Sequence, residues 1–576
     1  MAKNKTPFKK LAEVFRELEE TSSSLKMIDI LAGFLKELSA EEARIAAHLL
    51  RGEVAPSYRG LELGLAEKLV MRAVSLSTEV SSHKIETVYN KKGDLGLVVE
   101  ENKTGDRGTG LTINEVFSRL KAIAEAAGAG SQEKKVSELA ELIKSSSALE
   151  ARYIVRLVLN TLRLGVAEMT FLAALSKALT GSKEKKKELE HAFNVLSDLG
   201  EVAYVAVREG VKKLEKINPV PGVPIRMMAA QRVEDLKDVA KHIPGKVLVE
   251  YKYDGERLQV HILRTGEMVI FSRRHENITH QFPDVIADLK KAFKGREAII
   301  EGEVVAIDEK SGRLLAFQVL MTRRRKHDIE KYVSKVPVKY FLFDILYLDG
   351  NSMLETPLKE RKLALKKVFA EKGEIEEAQY LLTGDIDETE KFFRDVLKKG
   401  AEGVMVKDVS GPYQAGTRGW KWIKYKKDYE AELADTFDLV VVGAIYGTGK
   451  RGGTYGSLLV GAYEPKTNKY YSFTKVGAGF TDKDLEELKR RLDKYLIKEK
   501  HRLVETGMKA DVWFEPKAVL EISGAEITVS PVHTVAKDKI KKGGLALRFP
   551  RFLRWREDKG PEEATSVEEI YQLYKK

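Results

Sequence analysis

The sequence predicts a multidomain protein with an all-α N-terminal part, a central α/β (α+β) part and a small C-terminal β-barrel. The 576 residues allow about three or four domains at roughly 150 residues per domain. Three observations divide them. Apolar residues recur at helical spacing over the first ~215 residues. Three prolines in residues 219–224 then end the helical pattern, and near Glu430 the alternation of strands and helices gives way to short strands between glycine-rich turns.

Two capping boxes mark helix starts in the N-terminal part. Ser39 is followed three residues later by Glu42, and Ser147 by Glu150, so each serine can cap a helix while the glutamate bonds back. Apolar residues at helical spacing follow both boxes. Gly165 interrupts the second pattern, and residues 167–179 predict another helix.

The central part alternates predicted strands with predicted helices. Runs rich in β-branched and aromatic residues predict strands at residues 247–251, 258–263, 268–272, 298–307 and 338–347. Helical periodicity predicts helices at residues 282–293, 358–369 and 388–398.

The C-terminal part predicts several short strands and one helix, a combination typical of a small β-barrel. The strands are predicted at residues 439–446, 458–463 and 470–476, the helix at 482–499, and further strands between 519 and 529. Residues 447–453 (GTGKRGG) resemble a phosphate-binding loop. The Walker pattern requires glycine at position 444 and Ser or Thr at 451, whereas Ala444 and Arg451 stand there, so we interpret this segment as a turn.

Composition excludes several classes of protein. The absence of cysteine excludes disulfide scaffolds, Cys-ligated zinc, iron–sulfur clusters and thiol nucleophiles. A net charge of +12 and a pI near 9.2 favour a polyanionic partner. No apolar run reaches the ~20 residues needed to cross a bilayer, and the charged start lacks a signal core, so we expect an intracellular protein without a membrane partner.

Lys252 is the strongest candidate for a reactive residue. It follows the apolar strand predicted at 247–251 and opens the hexapeptide KYDGER. A lysine at a strand end usually extends to solvent. Burial and neighbouring cations can instead lower its pKa, so that the neutral amine attacks phosphorus. Gly255 permits a tight turn that brings Asp254 and Arg257 towards the same ligand.

Seven segments in a fixed order strengthen that interpretation. They are residues 252–257 (KYDGER), 271–274 (FSRR), 300–303 (IEGE), 341–344 (FLFD), 402–407 (EGVMVK), 422–426 (WIKYK) and 547–559, which contains LRFPRF and RWREDK. The series resembles the motifs of the nucleotidyltransferase superfamily of ATP-dependent DNA ligases and mRNA capping enzymes. Their common order makes a chance match untenable.

Within that superfamily the layout most resembles the replicative DNA ligases of archaea and eukaryotes. The resemblance implies a helical DNA-binding domain at 1–218, an adenylation domain at 219–428 and an OB-fold domain at 429–576. Residues 162–168 (LRLGVAE) also resemble a segment of the helical domain. Bacterial NAD-dependent ligases carry a four-cysteine zinc module, which this sequence lacks, so ATP is the expected adenylate donor.

The resemblance assigns roles to individual residues. Lys252 would attack the α-phosphate of ATP and carry AMP. Glu303 and Glu402 would hold Mg²⁺ (or Mn²⁺) or contact the ribose, and the alignment selects Glu303 over the nearby Glu301. Phe343 would stack on the adenine, and Glu250 would lie at the adenine edge. Lys424 would contact the α-phosphate. Phosphate or ribose contacts are implied for Arg257, Arg273 and Arg418, and supporting roles for Asp254, Gly255 and Lys426.

The last motif lies on the C-terminal domain, which in the family moves between closing over ATP and facing DNA. Its matching residues are Arg554, Arg556, Asp558 and Lys559. Residues 537–559 contain nine Lys or Arg and three Asp or Glu, a net charge of +6 that suits a nucleic-acid backbone.

The expected partner is therefore nicked duplex DNA. We expect a monomer from a prokaryote, an archaeon by its resemblance, that serves DNA replication, repair and recombination. A sliding clamp is a further candidate partner, although residues 101–110 (ENKTGDRGTG) lack the aromatic pair of a clamp-binding peptide. We also expect removal of residues 1–215 to weaken nick binding and to leave self-adenylation largely intact.

Three alternative functions are an RNA ligase, a capping-type guanylyltransferase and a non-catalytic DNA-binding protein. The helical N-terminal part argues against the first two, and the intact motif residues argue against the third.

Overall fold

The structure, a computed structural model, describes residues 6–63, 65–103, 110–162, 164–323, 333–370, 373–426, 436–447, 454–541 and 543–575. The chain divides into one unit of Met1–Glu86 and Leu95–Lys427 and a second of Thr87–Asp94 and Asp428–Lys576. Within the described residues, no helix has the length and apolar character needed to span a membrane. Of the turn predicted at 447–453 only Gly447 is described. The boundary predicted at 428/429 and residues 104–109, within the segment considered for a clamp-binding peptide, lie outside the described residues.

The N-terminal part is entirely helical, as predicted. Its helices are α1 (Phe8–Glu19), α2 (Ser24–Leu35), α3 (Ala40–Leu50), α4 (Glu67–Thr78), α5 (Ser82–Lys92), α6 (Leu95–Asn102), α7 (Ile113–Glu125), α8 (Ser131–Ser145), α9 (Ala148–Val158), α10 (Glu168–Thr180), α11 (Lys186–Leu196) and α12 (Leu199–Glu209). Both predicted capping boxes are confirmed, at the starts of α3 and α9. A 3₁₀ turn, Val211–Lys216, precedes the proline-rich segment.

The central part contains two sheets. The first has the order β1-β11-β10-β2-β9, and the second has β4-β3-β5-β6-β7 with β8 paired to β6. The strands are β1 (Ala229–Arg232), β2 (Val247–Lys252), β3 (Glu256–Ile262), β4 (Met268–Ser272), β5 (Ala298–Ala306), β6 (Val338–Leu348), β7 (Asn351–Ser352), β8 (Ile375–Glu377), β9 (Tyr380–Thr383), β10 (Gly403–Asp408) and β11 (Arg418–Lys426). The helices are α13 (Val239–His242), α14 (Pro283–Ala292), α15 (Phe317–Leu320), α16 (Leu358–Val368) and α17 (Ile386–Lys398).

Helices α14 and α16 bury their apolar faces against the second sheet. Leu289 and Leu365 join Val260, Ile300 and Tyr340 in one buried cluster, each at most 2 % exposed. This core fixes β3 and β5, and it therefore fixes the side chains that these strands project on their other face. The five predicted strands and three predicted helices of this part are confirmed to within two residues at each end.

The C-terminal part is a β-structure with two helices in its described residues. Its main sheet has the order β15-β17-β12-β13-β14-β16, β18 pairs with β12 and β21, and β19 pairs with β20. The elements are β12 (Phe437–Tyr446), β13 (Tyr455–Glu464), β14 (Lys469–Val476), α18 (Asp482–Leu492), β15 (Leu496–Ile497), β16 (Val504–Glu505), β17 (Val512–Phe514), β18 (Val519–Ser523), β19 (Glu526–Ser530), β20 (Gly544–Arg548), β21 (Arg551–Trp555) and α19 (Val567–Lys575).

The predicted length of the helix at 482–499 is wrong. Helix α18 ends at Leu492, and Leu496 and Ile497 pair as a strand with Phe514 and Trp513. Helical propensity continues through this lysine- and glutamate-rich stretch, but pairing with a distant strand overrides it, since propensity is a weak local preference.

Candidate active site

Lys252 is the last residue of β2, and its backbone is held from the neighbouring strand. Gly403 of β10 lies opposite Lys252, and the Glu402 amide donates a 2.9 Å hydrogen bond to the Lys252 carbonyl. A Cβ at Gly403 would approach the Tyr425 carbonyl oxygen to 2.1 Å, so this close strand approach requires glycine. The two paired strands therefore fix the direction of the Lys252 side chain.

Glu402 sits between two lysines. Its Oε2 lies 2.5 Å from Lys252 Nζ and 2.5 Å from Lys426 Nζ, and all three side chains are about a quarter exposed or less. Burial favours the neutral form of Glu402, but the two lysines outweigh burial and hold its pKa below the ordinary value. The result is a half-buried cluster that carries one net positive charge.

Lys252 and Lys426 line a cavity of about 300 Å³ in the central part, whereas Glu402 is not among its lining residues. Nine of the residues predicted for the nucleotide line it: Glu250, Lys252, Arg257, Arg273, Glu303, Phe343, Arg418, Lys424 and Lys426. Asp254 and Gly255 adjoin it in the turn after β2, where Asp254 Oδ2 accepts a 2.9 Å bond from the Phe317 amide. Side chains from β2, β3, β5, β6, β10 and β11 thus converge on one volume.

Part of the cavity lining is aromatic. Phe343 contributes one wall, and the Lys407 ammonium lies 4.5 Å from the Phe343 ring centroid and 4.4 Å from that of Trp422. Lys407 and Lys362 both donate to the buried Glu250 carboxylate, Lys362 at 2.8 Å. Burial lowers the pKa of Lys407, although Glu250 opposes that effect. Flat apolar walls beside buried polar groups suit an aromatic base.

Another part of the lining is cationic. Arg273 and Arg418 line the cavity and are exposed, and Lys424 is half-buried close to them and to the lysine pair. Burial lowers the pKa of Lys424, and the surrounding charges of Lys426, Lys252, Arg418 and Arg273 lower it further. Several cations held together without an equal number of carboxylates favour a polyanion such as a triphosphate.

Glu301 and Glu303 share a face of β5 but have different environments. Glu301 is fully buried and accepts bonds from Arg257 (2.6 Å), Gln259 (3.0 Å) and Tyr413 (2.9 Å). Glu303 lies opposite Arg257 across the β3–β5 pair and accepts no hydrogen bond from any other described residue. Burial raises the pKa of Glu303 to about 7. Glu301 therefore anchors Arg257, and Glu303 keeps its oxygens available for a ligand.

Three family models match the chain in sequence order. They are "DNA ligase N terminus" at residues 7–176, "ATP dependent DNA ligase domain" at 227–426 and "ATP dependent DNA ligase C terminal region" at 451–559. The DNA ligase of Staphylothermus marinus is 43 % identical over 591 residues, with 99 % of each chain covered. The chain belongs to the ATP-dependent DNA ligase family.

Other archaeal relatives are equally similar. DNA ligase 2 of Thermofilum pendens is 44 % identical, with 99 % of this chain and 97 % of the relative covered. The DNA ligase of Aeropyrum pernix is 43 % identical, with 99 % and 98 % covered. A solved structure titled Pmar-Lig_PreS3 shares the fold, with a TM-score of 0.54, 18 % identity and coverage of 95 % and 99 %. The predicted fold class and ligase activity are confirmed.

The family uses ATP and a divalent metal. No cluster of three or more His, Asp or Glu side chains arranged for a metal occurs in the described part of the chain. Glu303 is a partly buried carboxylate that lines the cavity and accepts no hydrogen bond from another described residue, so its oxygens are free to contact a cation or a ligand. Divalent magnesium and manganese prefer carboxylate oxygen.

The motif residues of the C-terminal unit form their own ion-pair network. Arg556 Nη1 lies 2.8 Å from Asp438 Oδ2, and Lys559 Nζ lies 2.7 Å from the same oxygen. Arg556 also donates a hydrogen bond to the Asp558 carboxylate, and this bond holds the pKa of Asp558 below its ordinary value. Arg554 pairs with Glu521 at 2.7 Å, and its side chain is 65 % exposed.

Sequence reasoning missed several cavity residues of this ligase. They are Met228, Met405, Lys407 and Trp422, which line the cavity, and Lys362, which reaches Glu250 from α16. Lys407 and Trp422 belong to the motifs at residues 402–407 and 422–426, so the sequence offered a signal for both. Met228 and Lys362 carry no local signal, because only the tertiary fold brings them to the site.

Gly255 offers a direct test of the turn that follows Lys252. A Cβ at this position would lie 2.3 Å from the Val304 carbonyl oxygen and 3.0 Å from Glu303 Cγ. We expect Gly255→Ala to lower the free energy of unfolding by about 1–3 kcal/mol, the usual cost of overpacking, and to slow AMP transfer by displacing Glu303. Thermal unfolding and a labelled-ATP assay measure the two effects.

Gly33, in the last turn of α2, provides the matched control. A Cβ there would meet no atom within 4 Å, so Gly33→Ala should leave AMP transfer unchanged and raise stability slightly through helix propensity. Wild-type AMP transfer by the Gly255 variant would contradict the tight turn.

Proposed function

We propose that this ligase seals 5′-phosphate/3′-hydroxyl nicks in duplex DNA through an AMP–lysine intermediate on Lys252, in DNA replication, repair and recombination. The observation that carries the proposal is one cavity whose lining combines Lys252, aromatic rings beside Glu250 and a group of cations. ATP has a base and a triphosphate to match the aromatic and the cationic parts of this lining. Its α-phosphate would then lie within reach of Lys252.

In the first step the Lys252 amine attacks the α-phosphorus of ATP. A nitrogen–phosphorus bond forms, the bond to the bridging oxygen breaks, and pyrophosphate leaves. An ammonium has no lone pair, so the Lys252 nitrogen must lose one proton before the attack and a second once the bond has formed; Glu402 Oε2, at 2.5 Å, can pass both protons on to solvent. Lys424 and Lys426 neutralise charge on the reacting phosphate, as transfers of this kind require.

Two further transfers complete the reaction. The AMP passes from Lys252 to the 5′-phosphate at the nick, and the 3′-hydroxyl then displaces AMP and closes the backbone. Glu303 and Glu402 would hold Mg²⁺ or Mn²⁺, which supplies charge neutralisation at the phosphates. Arg257 stays oriented by Glu301, so its guanidinium is fixed before the nucleotide enters.

The proposal is tested by comparing donors and nicks. Purified protein incubated with ATP and Mg²⁺ should gain the mass of one AMP at Lys252, GTP should give no comparable adduct, and the ligase should seal a DNA nick. Preference for GTP or for an RNA nick would support a guanylyltransferase or an RNA ligase instead. DNA binding without any adduct would support a non-catalytic protein.

We propose that the C-terminal unit supplies part of the DNA contact. Phe549 is 72 % exposed with a left-handed backbone (φ 52°), and the exposed Arg548 and Arg551 flank it along the chain. An exposed aromatic ring between cations suits stacking on bases beside a phosphate backbone. We take the protein to act as a monomer, and we place it inside an archaeal cell, where ATP and DNA are found.

Salt dependence distinguishes the two kinds of contact. Affinity for nicked DNA should fall steeply with salt, and Arg551→Ala should make the slope of log affinity against log salt shallower by about one. Phe549→Ala should weaken binding by about 1–3 kcal/mol at every salt concentration and leave the slope unchanged. Fluorescence anisotropy with a labelled nick measures both. A flat response for the wild type would contradict a phosphate-binding surface.

A further inference from the structure

Glu168 joins the helical part of the chain to the central part. Glu168 is the first residue of α10, and its Oε1 lies 2.6 Å from Arg51 Nη1. Both Glu168 oxygens accept hydrogen bonds from the Arg226 guanidinium, Oε2 at 2.6 Å and Oε1 at 2.8 Å. Arg51 belongs to the helical part, whereas Arg226 precedes β1 of the central part. Two parallel charge-assisted bonds fix direction as well as distance. The Glu168 side chain is only 23 % exposed, which limits screening by solvent.

The backbone and ring contacts of Arg226 reinforce this link. Its amide donates a 2.8 Å bond to the carbonyl of Asn194, at the buried end of α11, and its guanidinium lies 4.2 Å from the Phe193 ring centroid. Its carbonyl accepts a 2.8 Å bond from the Gly416 amide. Arg226 is thus held by α10 and α11 on one side and by the segment before β11 on the other.

Both segments that Arg226 ties together continue directly into the cavity wall. Met228, two residues after Arg226, lines the cavity and accepts a 2.7 Å bond from Arg257 through its carbonyl. Arg418, two residues after Gly416, lines the cavity and pairs with Ala229 in the β1–β11 ladder. A shift of Arg226 would therefore displace Met228 and Arg418 together.

A second contact places the helical part against β4, the strand that ends one residue before Arg273. The Tyr58 ring meets the Phe271 ring edge-on at 6.4 Å, and Phe271 precedes Arg273 by two residues. His275, with a left-handed backbone (φ 63°), lies in the same small polar cleft as Arg51, Glu168 and Arg226. Two walls of the cavity are thus supported from the helical side.

We propose that Glu168 is a positioning residue for the nucleotide: through Arg226 it holds the Met228–Arg418 wall of the cavity in the form that binds ATP. The helical part then contributes to self-adenylation as well as to DNA binding. This rests on the proposed function, which assigns the cavity to ATP. It also replaces the expectation that loss of residues 1–215 leaves self-adenylation largely intact.

The test uses the full-length ligase and a nucleotide that cannot transfer AMP. We expect Glu168→Gln to bind α,β-methylene-ATP about tenfold more weakly than the wild type, because the amide cannot accept both guanidinium bonds. In single-turnover adenylation the half-saturating ATP concentration should rise by the same factor, while the maximal rate constant should stay within about threefold of wild type. This split separates positioning of the wall from damage to the chemistry.

Glu19→Gln is the matched control. Glu19 also pairs with two arginines, Arg152 at 2.7 Å and Arg156 at 2.9 Å, but both lie within the helical part. This variant should lose a comparable amount of thermal stability and keep wild-type affinity for the analogue. Equal loss of affinity in both variants would mean that general destabilisation of the helical part is responsible, and it would overturn the proposal.

A double-mutant cycle tests the link itself. If Glu168 acts through Arg226, the variant that combines Glu168→Gln with Arg226→Met should bind the analogue no more weakly than the worse single variant. Additive losses, or an analogue affinity of Glu168→Gln within twofold of wild type, would overturn the proposal. A wild type that never accepts AMP would refute the proposed function itself, and the two failures are therefore distinguishable.

Discussion

Replacement of Lys252 by alanine is expected to abolish transfer of labelled AMP from ATP to the protein, with a rate loss above about 10³-fold, because no other group can form the nitrogen–phosphorus bond. Lys426 Nζ shares the Glu402 oxygen with Lys252, but Lys426 belongs to β11, which is separated from β2 by β10. The measurement is retention of α-labelled phosphate on denatured protein after incubation with ATP and Mg²⁺.

The same variant should still close a nick that already carries 5′-AMP, because the last transfer needs no nucleophile from the protein. Lys421→Ala serves as the control. Lys421 lies on the same strand as Lys424 and Lys426, but it pairs with Asp408 at 2.6 Å and is not a lining residue of the cavity. Wild-type labelling of the Lys252 variant would show that another residue carries AMP.

Much of the site was predictable because the ligands of a nucleotide lie on strands with a strong sequence pattern. The strands that end at Lys252 and contain Glu303 and Phe343 are apolar runs, and their predicted ends agree with the structure. Strands β10 and β11 were not predicted as strands. Strand β11 places Arg418, Lys421, Lys424 and Lys426 within nine residues, and such a charged strand lacks the usual composition of a buried one.

What could not be predicted depends on contacts between distant residues. Glu250 appears in the sequence as an ordinary strand residue, but Lys362 lies 112 residues away and completes its ion pair. Glu168 and Arg226 are 58 residues apart on either side of the proline-rich boundary. Periodicity and motifs describe short segments, so they locate a helix start at Glu168 without showing which surface it meets.

The choice between Glu301 and Glu303 illustrates the same limit of local pattern. Alternation places both on one face of β5, and sequence spacing alone cannot separate them. The structure separates them by partner: Arg257 and Tyr413 bond to Glu301, and Glu303 has no donor among the described residues. Function and stability are therefore expected to respond in opposite ways at the two positions.

Glu303→Gln is expected to reduce AMP transfer by at least about 10²-fold, because a neutral amide cannot neutralise a metal ion or hold the ribose as a carboxylate can. Its thermal midpoint, measured without metal at pH 8, should equal or exceed that of the wild type. Burial already raises the pKa of Glu303 to about 7, so the charged side chain is poorly solvated in the folded protein and the amide removes that cost.

Glu301→Gln is the matched comparison, and it should behave in the reverse way. It removes the charge that pairs with Arg257 at 2.6 Å, in a site where the glutamate is fully buried. An unpaired buried arginine costs about 3–5 kcal/mol, so the midpoint should fall well below that of the wild type. Calorimetry and single-turnover adenylation of the two variants decide the assignment. If Glu303→Gln unfolds early while Glu301→Gln is stable and inactive, then Glu301 is the ligand of the nucleotide and Glu303 the structural partner.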